Sequence, residues 1–413
     1  MPFLYLLLFF FFPLSLYAQQ TGWQELTISD GLSQGMIFDL LQDQKGFIWV
    51  ATKDGLNRYD GHNFKVFTHD PYNQYSISDN NCSALLLDSR GWIWVGTPNA
   101  GLNLFNRKTQ RFYHIHIRSK TAAKAGNYAV DRIFEDPEGN IWATENGNIL
   151  IKITIPASLQ KSFPDNALIA TQSQTVQLPI ALQSNNSISS NYLSFHKNGQ
   201  ALAIGELGSF SFNWKSPNQP GHYQPYTNEL AGLNGLYNNL PQQSFIVAYG
   251  QKLVFQLHNQ RKTIQLPTGN EAHLAVKAFD AKTLAIATDK FLWLMTPEEL
   301  FRHDSLTAQN AFITLPPNLY AVTSLLRDQT GNIWVGTSGY GLRKFNPKVK
   351  QFHSSLPNNT LSYLYADKQN RVYVRHEFAY DQLNATGNQL KPFLSNNLSA
   401  ADKRARYMIQ DLE

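Results

Sequence analysis

Seven polar side chains in this sequence have a spacing that could form a ligand site. They follow a recurring Thr, or stand two residues after a recurring Gly, inside segments that otherwise vary little between copies. Variable positions inside a repeat are where binding specificity can be placed. Amide, ammonium and guanidinium groups of this kind would bind a small polar ligand through hydrogen bonds. The set is Lys53, Asp54, Asn57, Asn99, Asn103, Tyr340 and Arg343.

Residue types used in catalysis and metal binding are present but do not assemble into a known motif. His114 and His116 lie two apart on a predicted strand and would point the same way, but no third zinc ligand is evident. His376-Glu377 lacks the second His of a metalloprotease motif. Gly339-Tyr-Gly341 is too short for a phosphate-binding loop. We therefore expect no catalytic residues, no metal and no cofactor, and a chain that is not an enzyme.

One repeated phrase would position these segments. Its clearest copy, residues 328–345, runs D-Q-T-G-N-I-W-V-G-T-S-G-Y-G-L-R-K-F. An apolar run precedes the Asp, and Asp-x-x-Gly predicts a tight turn because Asp can bond its own backbone and Gly tolerates positive φ. Ile-Trp-Val then places apolar residues at consecutive positions, which is typical of a strand buried on both faces. Further copies begin at Asp43, Asp88 and Asp136.

The Trp of the phrase recurs in four copies. An aromatic ring at this position could stack on a sugar. Flanking Ile and Val in a doubly buried strand favour a core role instead. We predict core for Trp49, Trp94, Trp142 and Trp334.

The period of the phrase indicates the fold class. Asp43 and Asp88 are 45 residues apart, Asp88 and Asp136 are 48 apart, and Asp136 and Asp328 are 192 apart. Four short strands per period of this length predict a β-propeller. The prediction is an all-β propeller of four-stranded blades, with seven blades plus the start of a second propeller; a single eight-bladed ring and a solenoid or multi-sheet protein are the alternatives. Degraded turns are predicted at His196, Gln242, Asp280 and Asp367.

The chain divides into three predicted segments. Residues 1–18 resemble a signal peptide, because a short apolar run ends at Ala18; an uncleaved anchor is the alternative. Residues 19–355 would form the first propeller. Residues 356–413 would form the first blade and a cut-off repeat of a second one, so we expect the sequence to be a piece of a longer chain.

Further segments have predicted roles in the blades or between them. Residues 23–28 precede the first copy and lie where a fourth strand would complete the last blade. Short fourth strands are also predicted at residues 64–67, 111–114 and 351–353. Residues 155–192 lack the phrase and are rich in Ser, Gln, Asn and Pro, which predicts a long insertion between the third and fourth blades.

Cysteine content and net charge limit the kinds of site and partner that this chain can have. Cys82 is the only cysteine, so the chain has no internal disulfide and no C-x-x-C site, which favours a bacterial periplasm for an exported protein. The net charge of +5 is scattered, and it predicts no nucleic-acid or lipid partner. The densest basic cluster, residues 403–406, is expected to be a solvated loop.

The phrase D-x-x-G-x-I-W-[VI]-[GA]-T-x-x-G-L-x-x-[YF] resembles the two-component regulator propeller repeat. Asp30-Gly-Leu-Ser-Gln34 and Tyr59-Asp60-Gly61 resemble the start of periplasmic sensors from hybrid two-component systems of Bacteroidetes. The resemblance implies, in the longer protein, two seven-bladed propellers, a β-sandwich, a membrane helix and a histidine kinase. It also implies an oligosaccharide ligand and allows a second propeller and a homodimer partner.

We therefore predict the periplasmic ligand-sensing propeller of a two-component receptor, which detects an oligosaccharide or another small polar ligand. Two alternatives stay open: a propeller-scaffold enzyme, such as a lyase or glycosidase, and a secreted interaction scaffold without a kinase. An enzyme would require convergent acid, base or metal groups.

Overall fold

A computed structural model of the chain describes residues 22–118, 128–145, 149–179, 192–204, 208–225, 235–237, 245–249, 252–257, 260–267, 275–280, 282–316, 321–348, 361–366, 372–376, 379–383 and 390–392. It separates into two compact units. One unit is Trp23–Pro347, and the other combines Met1–Gly22 with Lys348–Glu413.

The described residues of the first unit form mostly short strands, together with a 3-10 turn at Ile28–Asp30 and two short helices, α1 (Ala157–Lys161) and α2 (Pro297–Arg302). The strands are β1 (Trp23–Leu26), β2 (Ile37–Gln42), β3 (Ile48–Thr52), β4 (Gly55–Tyr59), β5 (Phe64–Phe67), β6 (Ala84–Leu87), β7 (Ile93–Thr97), β8 (Gly101–Asn106), β9 (Arg111–Arg118), β10 (Arg132–Glu135), β11 (Ile141–Glu145), β12 (Ile149–Thr154), β13 (Leu168–Gln177), β14 (Tyr192–Phe195), β15 (Gln200–Ile204), β16 (Gly208–Asn213), β17 (His222–Pro225), β18 (Gly235–Tyr237), β19 (Phe245–Tyr249), β20 (Lys252–Leu257), β21 (Gln260–Gln265), β22 (Ala275–Ala278), β23 (Leu284–Ala287), β24 (Phe291–Met295), β25 (Ile313–Thr314), β26 (Val322–Arg327), β27 (Ile333–Thr337) and β28 (Leu342–Phe345).

Within these strands, successive runs of four pair antiparallel, and we call each run a blade; β6–β9 and β10–β13 are joined in one eight-stranded sheet, and the last run is completed by β1. Apolar clusters lie between neighbouring blades; in one of them Trp49 of β3 packs with Phe105 of β8. Both faces of a blade are therefore buried, as the phrase predicted, and the fold is that of a β-propeller. The number of blades in the closed ring and the boundary at residues 355–356 stay predictions. The first to sixth blades are β2–β5, β6–β9, β10–β13, β14–β17, β18–β21 and β22–β25, and the seventh is β26–β28 with β1.

The tight turns of the phrase are confirmed as the connections between the first and second strands of a blade. In each strong copy the Asp carboxylate accepts the indole N–H of the Trp six residues later, at 3.0 Å for Asp43 and Trp49. Its other oxygen accepts backbone N–H groups inside the turn, including those of Lys45 and Phe47. One carboxylate thus closes the turn and satisfies the only polar atom of a buried ring. The same indole bond is 2.9 Å long for Trp94 with Asp88, Trp142 with Asp136 and Trp334 with Asp328.

The core role of the four Trp residues is confirmed, since none is more than 2% exposed. The weaker turns predicted at His196 and Asp280 also join first and second strands. The turn at Gln242 lies outside the described residues.

The predicted role of the N-terminal strand is confirmed as well. β1 pairs antiparallel with β28, from Trp23 opposite Phe345 to Leu26 opposite Leu342, and completes the seventh blade. A fourth strand predicted at residues 351–353 lies outside the described residues. The strands predicted at 64–67 and 111–114 are confirmed as β5 and the start of β9.

The prediction of a long insertion at residues 155–192 is wrong for most of its length. β13 lies inside it and is the fourth strand of the third blade, pairing antiparallel with β12. From residue 168 to residue 175, exposed positions alternate with buried Ile169 and Thr171 and half-buried Ser173 and Thr175, so a strand forms despite the polar composition. Residues 180–191 lie outside the described part of the chain.

In the second unit four further strands form one antiparallel sheet in sequence order. His376 ends a strand, and Glu377 lies outside the described residues. The predicted turn at Asp367, the basic residues 403–406 and the predicted signal peptide at residues 1–18 lie outside the described residues. Across the described part of the chain, the helices are all too short and polar to span a lipid bilayer. The strands are β29 (Leu361–Ala366), β30 (Val372–His376), β31 (Ala379–Leu383) and β32 (Leu390–Pro392).

Candidate ligand-binding rim

One edge of the propeller carries the predicted site residues. In an antiparallel blade the turn between the second and third strands lies at the same end as the segment that leads into the first strand. We call this edge the rim. Backbone hydrogen bonds join rim segments of consecutive blades: Cys82 N donates to Thr52 O at 3.0 Å, and Val130 N donates to Thr97 O at 3.0 Å. Turns of adjacent blades are therefore held side by side.

The recurring Thr and Gly determine the shape of each rim turn. Thr52 Oγ1 donates to Gly55 O at 2.9 Å, and Thr337 Oγ1 donates to Gly341 O at 2.7 Å. Both glycines have positive φ, at 104° and 80°, where a side chain is strained. A Cβ on Gly341 would also lie 2.7 Å from Leu26 O. Residues between Thr and Gly therefore project from a rigid turn.

Asn57 and Asn103 do not face solvent, which corrects the expectation that they contact a ligand. Both are fully buried. Asn57 Oδ1 accepts from Ser33 N at 2.9 Å, and its Nδ2 donates to Ser33 Oγ at 2.8 Å. Asn103 makes the same pair of bonds with Ser78, at 3.1 and 2.8 Å. Each Asn therefore holds the segment that leads into the first strand of its own blade.

Arg343 occupies the equivalent position in the seventh blade and is also only 8% exposed. Its Nη2 lies 2.6 Å from Glu25 Oε1 on β1, and its Nη1 donates to Tyr340 O at 3.2 Å. The guanidinium joins the two strands that close the seventh blade. It lies beneath the backbone of Tyr340 rather than open to a ligand, which corrects the expectation that Arg343 contacts one.

The other four predicted residues, Lys53, Asp54, Asn99 and Tyr340, lie exposed on rim turns. Asp54 Oδ1 accepts from Asn80 Nδ2 at 3.2 Å. Asn99 Nδ2 donates to Asp79 Oδ2 at 2.7 Å. The adjacent residues Asp79 and Asn80 thus connect the turns of the first and second blades.

The turn of the seventh blade borders this group through the segment before β2. Gly339 N donates to Gly35 O at 3.1 Å, and Lys53 N donates to Met36 O at 3.3 Å. These four exposed residues and the half-buried Asp79 and Asn80 therefore follow one another along the rim of three consecutive blades, the seventh, first and second. We call them the polar arc: Tyr340, Lys53, Asp54, Asp79, Asn80 and Asn99.

Sequence reasoning missed Asp79 and Asn80. The available signal was the run Ser78-Asp-Asn-Asn81, which lies directly before an inner strand where a long loop crosses the rim. Short side chains with both donors and acceptors are typical of such crossings, because they can also bond local backbone. Asn81 N, for example, donates to Asp79 Oδ1 at 3.1 Å.

The third blade adds a carboxyl group with altered acidity. Glu145 ends β11 and is half-buried beside Asp131, whose backbone N donates to Thr144 O at 3.0 Å. Burial, and secondly the Asp131 carboxylate, raise the pKa of Glu145 above its ordinary value. The sequence offered no sign of this pair, because it depends on the pairing of β10 with β11.

Other candidate groups have structural surroundings. His114 Nε2 lies 2.9 Å from Ser76 O, and β9 is the long outer strand of its blade. Cys82 is buried, and burial raises the pKa of its thiol. In the part of the chain that the structure describes, no three His, Cys, Asp or Glu side chains are grouped closely enough to hold a metal ion.

Comparison with known families and proteins agrees with the fold. Residues 31–54, 76–99 and 315–339 match the family described as Two component regulator propeller. A stretch of 74 residues is 45% identical to histidine kinase P4 of Formosa agariphila, and covers 17% of this chain and 5% of that protein. The match therefore bears on a small part of that kinase.

Solved structures are similar in fold. The extracellular domain of the putative hybrid two-component system BT3049 from B. thetaiotaomicron has a TM-score of 0.59 at 19% identity, with 91% of this chain and 50% of that chain covered. The corresponding domain of BT4673 has a TM-score of 0.59 at 16% identity, with 85% and 46% covered. The chain thus spans about half the length of these two domains. Virginiamycin B lyase from Staphylococcus aureus has a TM-score of 0.51 at 16% identity, with 78% and 98% covered.

Proposed function

Because this chain carries two-component regulator propeller repeats, we propose that it is the ligand-sensing propeller of a two-component receptor. It acts in the periplasm, where it binds an oligosaccharide at the polar arc and does not turn it over. The observation that carries this proposal is the series of polar side chains along three blades of the rim, four of them exposed and two half-buried.

The chemistry of the arc suits a polyhydroxylated ligand. Sugar hydroxyls both donate and accept hydrogen bonds, and the arc offers an ammonium, two carboxylates, two amides and a phenol. Tyr340 is 46% exposed, which leaves part of its ring available to the apolar face of a sugar. The rigid turns under these residues reduce the entropy lost on binding.

The extent of the arc favours a chain of sugars over a single one. Tyr340 lies on the turn of the seventh blade and Asn99 on that of the second, with the first blade between them. One monosaccharide would contact one turn and its neighbour at most. An oligosaccharide would contact all three turns at once, and binding at one turn would raise its effective concentration at the next.

Calorimetry of the purified chain against a panel of plant and host oligosaccharides tests this proposal. For a glycan that binds, Tyr340→Ala should weaken affinity about tenfold, since loss of an aromatic contact of about 1.4 kcal/mol corresponds to that factor. Tyr72→Ala is the matched control, because Tyr72 is 98% exposed on the loop between the first two blades and lies outside the arc.

Two results would contradict the proposal. If a glycan binds and no substitution in the polar arc weakens its affinity, the ligand-binding site lies elsewhere. Chromatography of the same mixtures should show no new product; product that disappears when one carboxylate is replaced would identify an enzyme instead.

A further inference from the structure

One strand of the propeller belongs to two blades. The second half of β13 pairs antiparallel with β12, from Gln172 opposite Thr154 to Gln177 opposite Ile149. Its first half pairs parallel with β9, from Leu168 opposite His114 to Gln172 opposite Arg118. The change of partner falls at Gln172. The second and third blades are consequently one eight-stranded sheet.

This pairing covers an edge that a blade usually leaves open. The outer strand of a sheet presents unpaired N–H and C=O groups. Here His114 N donates to Ala167 O at 2.7 Å just before the ladder begins, and Thr171 Oγ1 donates to His116 O at 3.3 Å within it. The outer edge of β9 is thus bonded to the neighbouring blade over five residue pairs.

A single apolar cluster lies behind the shared strand. It joins Trp94 and Ile115 of the second blade to Ile141 and Ile151 of the third, together with Ile169 of β13 itself. All five are at most 4% exposed. Separation of these two blades would expose this cluster to water and break the parallel ladder at the same time. The free-energy costs of both changes therefore oppose the same opening.

The connection before β13 adds to the same cluster. Leu159 of α1 is 5% exposed within it. Phe163 follows α1 and packs against both Tyr113 and Trp92 of the second blade, with ring centroids 4.8 and 5.6 Å apart. The chain therefore returns to the second blade before it completes the third.

The neighbouring boundary between the first and second blades is built differently. There the contacts are between side chains, such as the 3.6 Å ion pair of Arg107 with Asp43, and between rim segments. Among the described strands, none is shared across that boundary. The polar arc crosses it at Asp79 and Asn80.

We infer that β13 makes the second and third blades one cooperative unit, which opens and closes as a whole. Movement of the rim is then confined to the boundaries on either side of this unit, including the one that the polar arc crosses.

Native-state hydrogen exchange of the full chain in increasing urea tests it. Amide groups that exchange through one opening share the same free energy and the same urea slope, which scales with the surface exposed. Amides of β7 and β11 should therefore give opening constants within about fivefold of each other at every urea concentration. A larger difference between β7 and β11, or different slopes, would overturn the inference.

Thr171→Pro removes a backbone donor and interrupts the ladder with β9. In this variant the opening constants of β7 and β11 should separate by more than about tenfold. Val66→Pro is the control, because it interrupts β5, the outer strand of the first blade, and should leave β7 and β11 matched. Equal opening constants for β7 and β11 in folded Thr171→Pro would also overturn the role of β13. If this variant does not fold, the comparison of the opening constants of β7 and β11 in the parent chain is the test.

Discussion

Replacement of Trp334 tests the relation between the repeated phrase and stability. The ring is 2% exposed, and its centroid lies 5.8 Å from that of Tyr59 in the first blade. Trp334→Ala would empty this site, which costs about 3–5 kcal/mol for a buried aromatic. The indole bond to Asp328 at 2.9 Å would be lost as well.

The loss of that bond has a limited cost because Asp328 keeps other donors. Asn332 Nδ2 still donates to Asp328 Oδ2 at 2.8 Å. We therefore add about 1 kcal/mol, the typical net value of a hydrogen bond, and expect a total of about 4–6 kcal/mol. Trp334→Phe keeps most of the apolar ring and removes the donor, so it should cost about 2 kcal/mol.

Urea unfolding followed by far-ultraviolet circular dichroism measures these differences. Asn99→Ala is the control, since Asn99 is exposed on the rim and its replacement should cost less than about 0.5 kcal/mol. If Trp334→Ala unfolded at the same urea concentration as the parent, the ring would not be part of the core. If Trp334→Phe matched the parent while Trp334→Ala did not, the Asp–Trp bond would contribute nothing.

Three further predictions concern individual groups. Burial tends to raise the pKa of Asp328, but hydrogen bonds from Thr330, Trp334 and Asn332 outweigh it and hold the pKa below its ordinary value. The ionised carboxylate therefore stabilises the fold above its unfolded pKa, about 3.9, and this stabilisation is lost as pH falls through the folded pKa. In Asp328→Asn the free energy of unfolding should depend less on pH below about pH 5. Cys82 should not react with a thiol reagent until the chain is unfolded, because its thiol is buried with a raised pKa; rapid labelling of the folded chain would contradict this. Asn57→Ala should lower the unfolding free energy by about 1–3 kcal/mol, since it leaves Ser33 N without its acceptor, and should leave ligand affinity unchanged; weakened binding with unchanged stability would return Asn57 to the ligand site.

The repeated phrase was sufficient to predict the propeller because its information is local. Asp43 and Trp49 are six residues apart, and the turn that joins them is closed by their own side chains and backbone. A period near 48 residues then places such units in succession. The strand β1 could be predicted from the same period, because residues 23–28 stand just before the first copy, where the fourth strand of a preceding blade would be.

The rim could be located from the sequence, but the role of each residue there could not. Asn57 and Lys53 lie in the same short segment, yet the first is fully buried and bonded to Ser33 while the second is exposed. That difference depends on where the segment before β2 passes, which is a contact between residues 24 positions apart. Arg343 is buried for the same kind of reason, because β1 brings Glu25 beside it.

Two features were decided by tertiary structure alone. Asp79 and Asn80 join the polar arc because the chain between two blades crosses the rim there, next to Asp54 and Asn99. β13 pairs with β12 over one half and with β9 over the other, because the folded chain places it between these two strands. Its polar sequence is compatible with either partner. Local hydrogen bonds and periodic burial are visible in sequence, whereas the choice among distant partners depends on which surfaces the folded blades bring into contact.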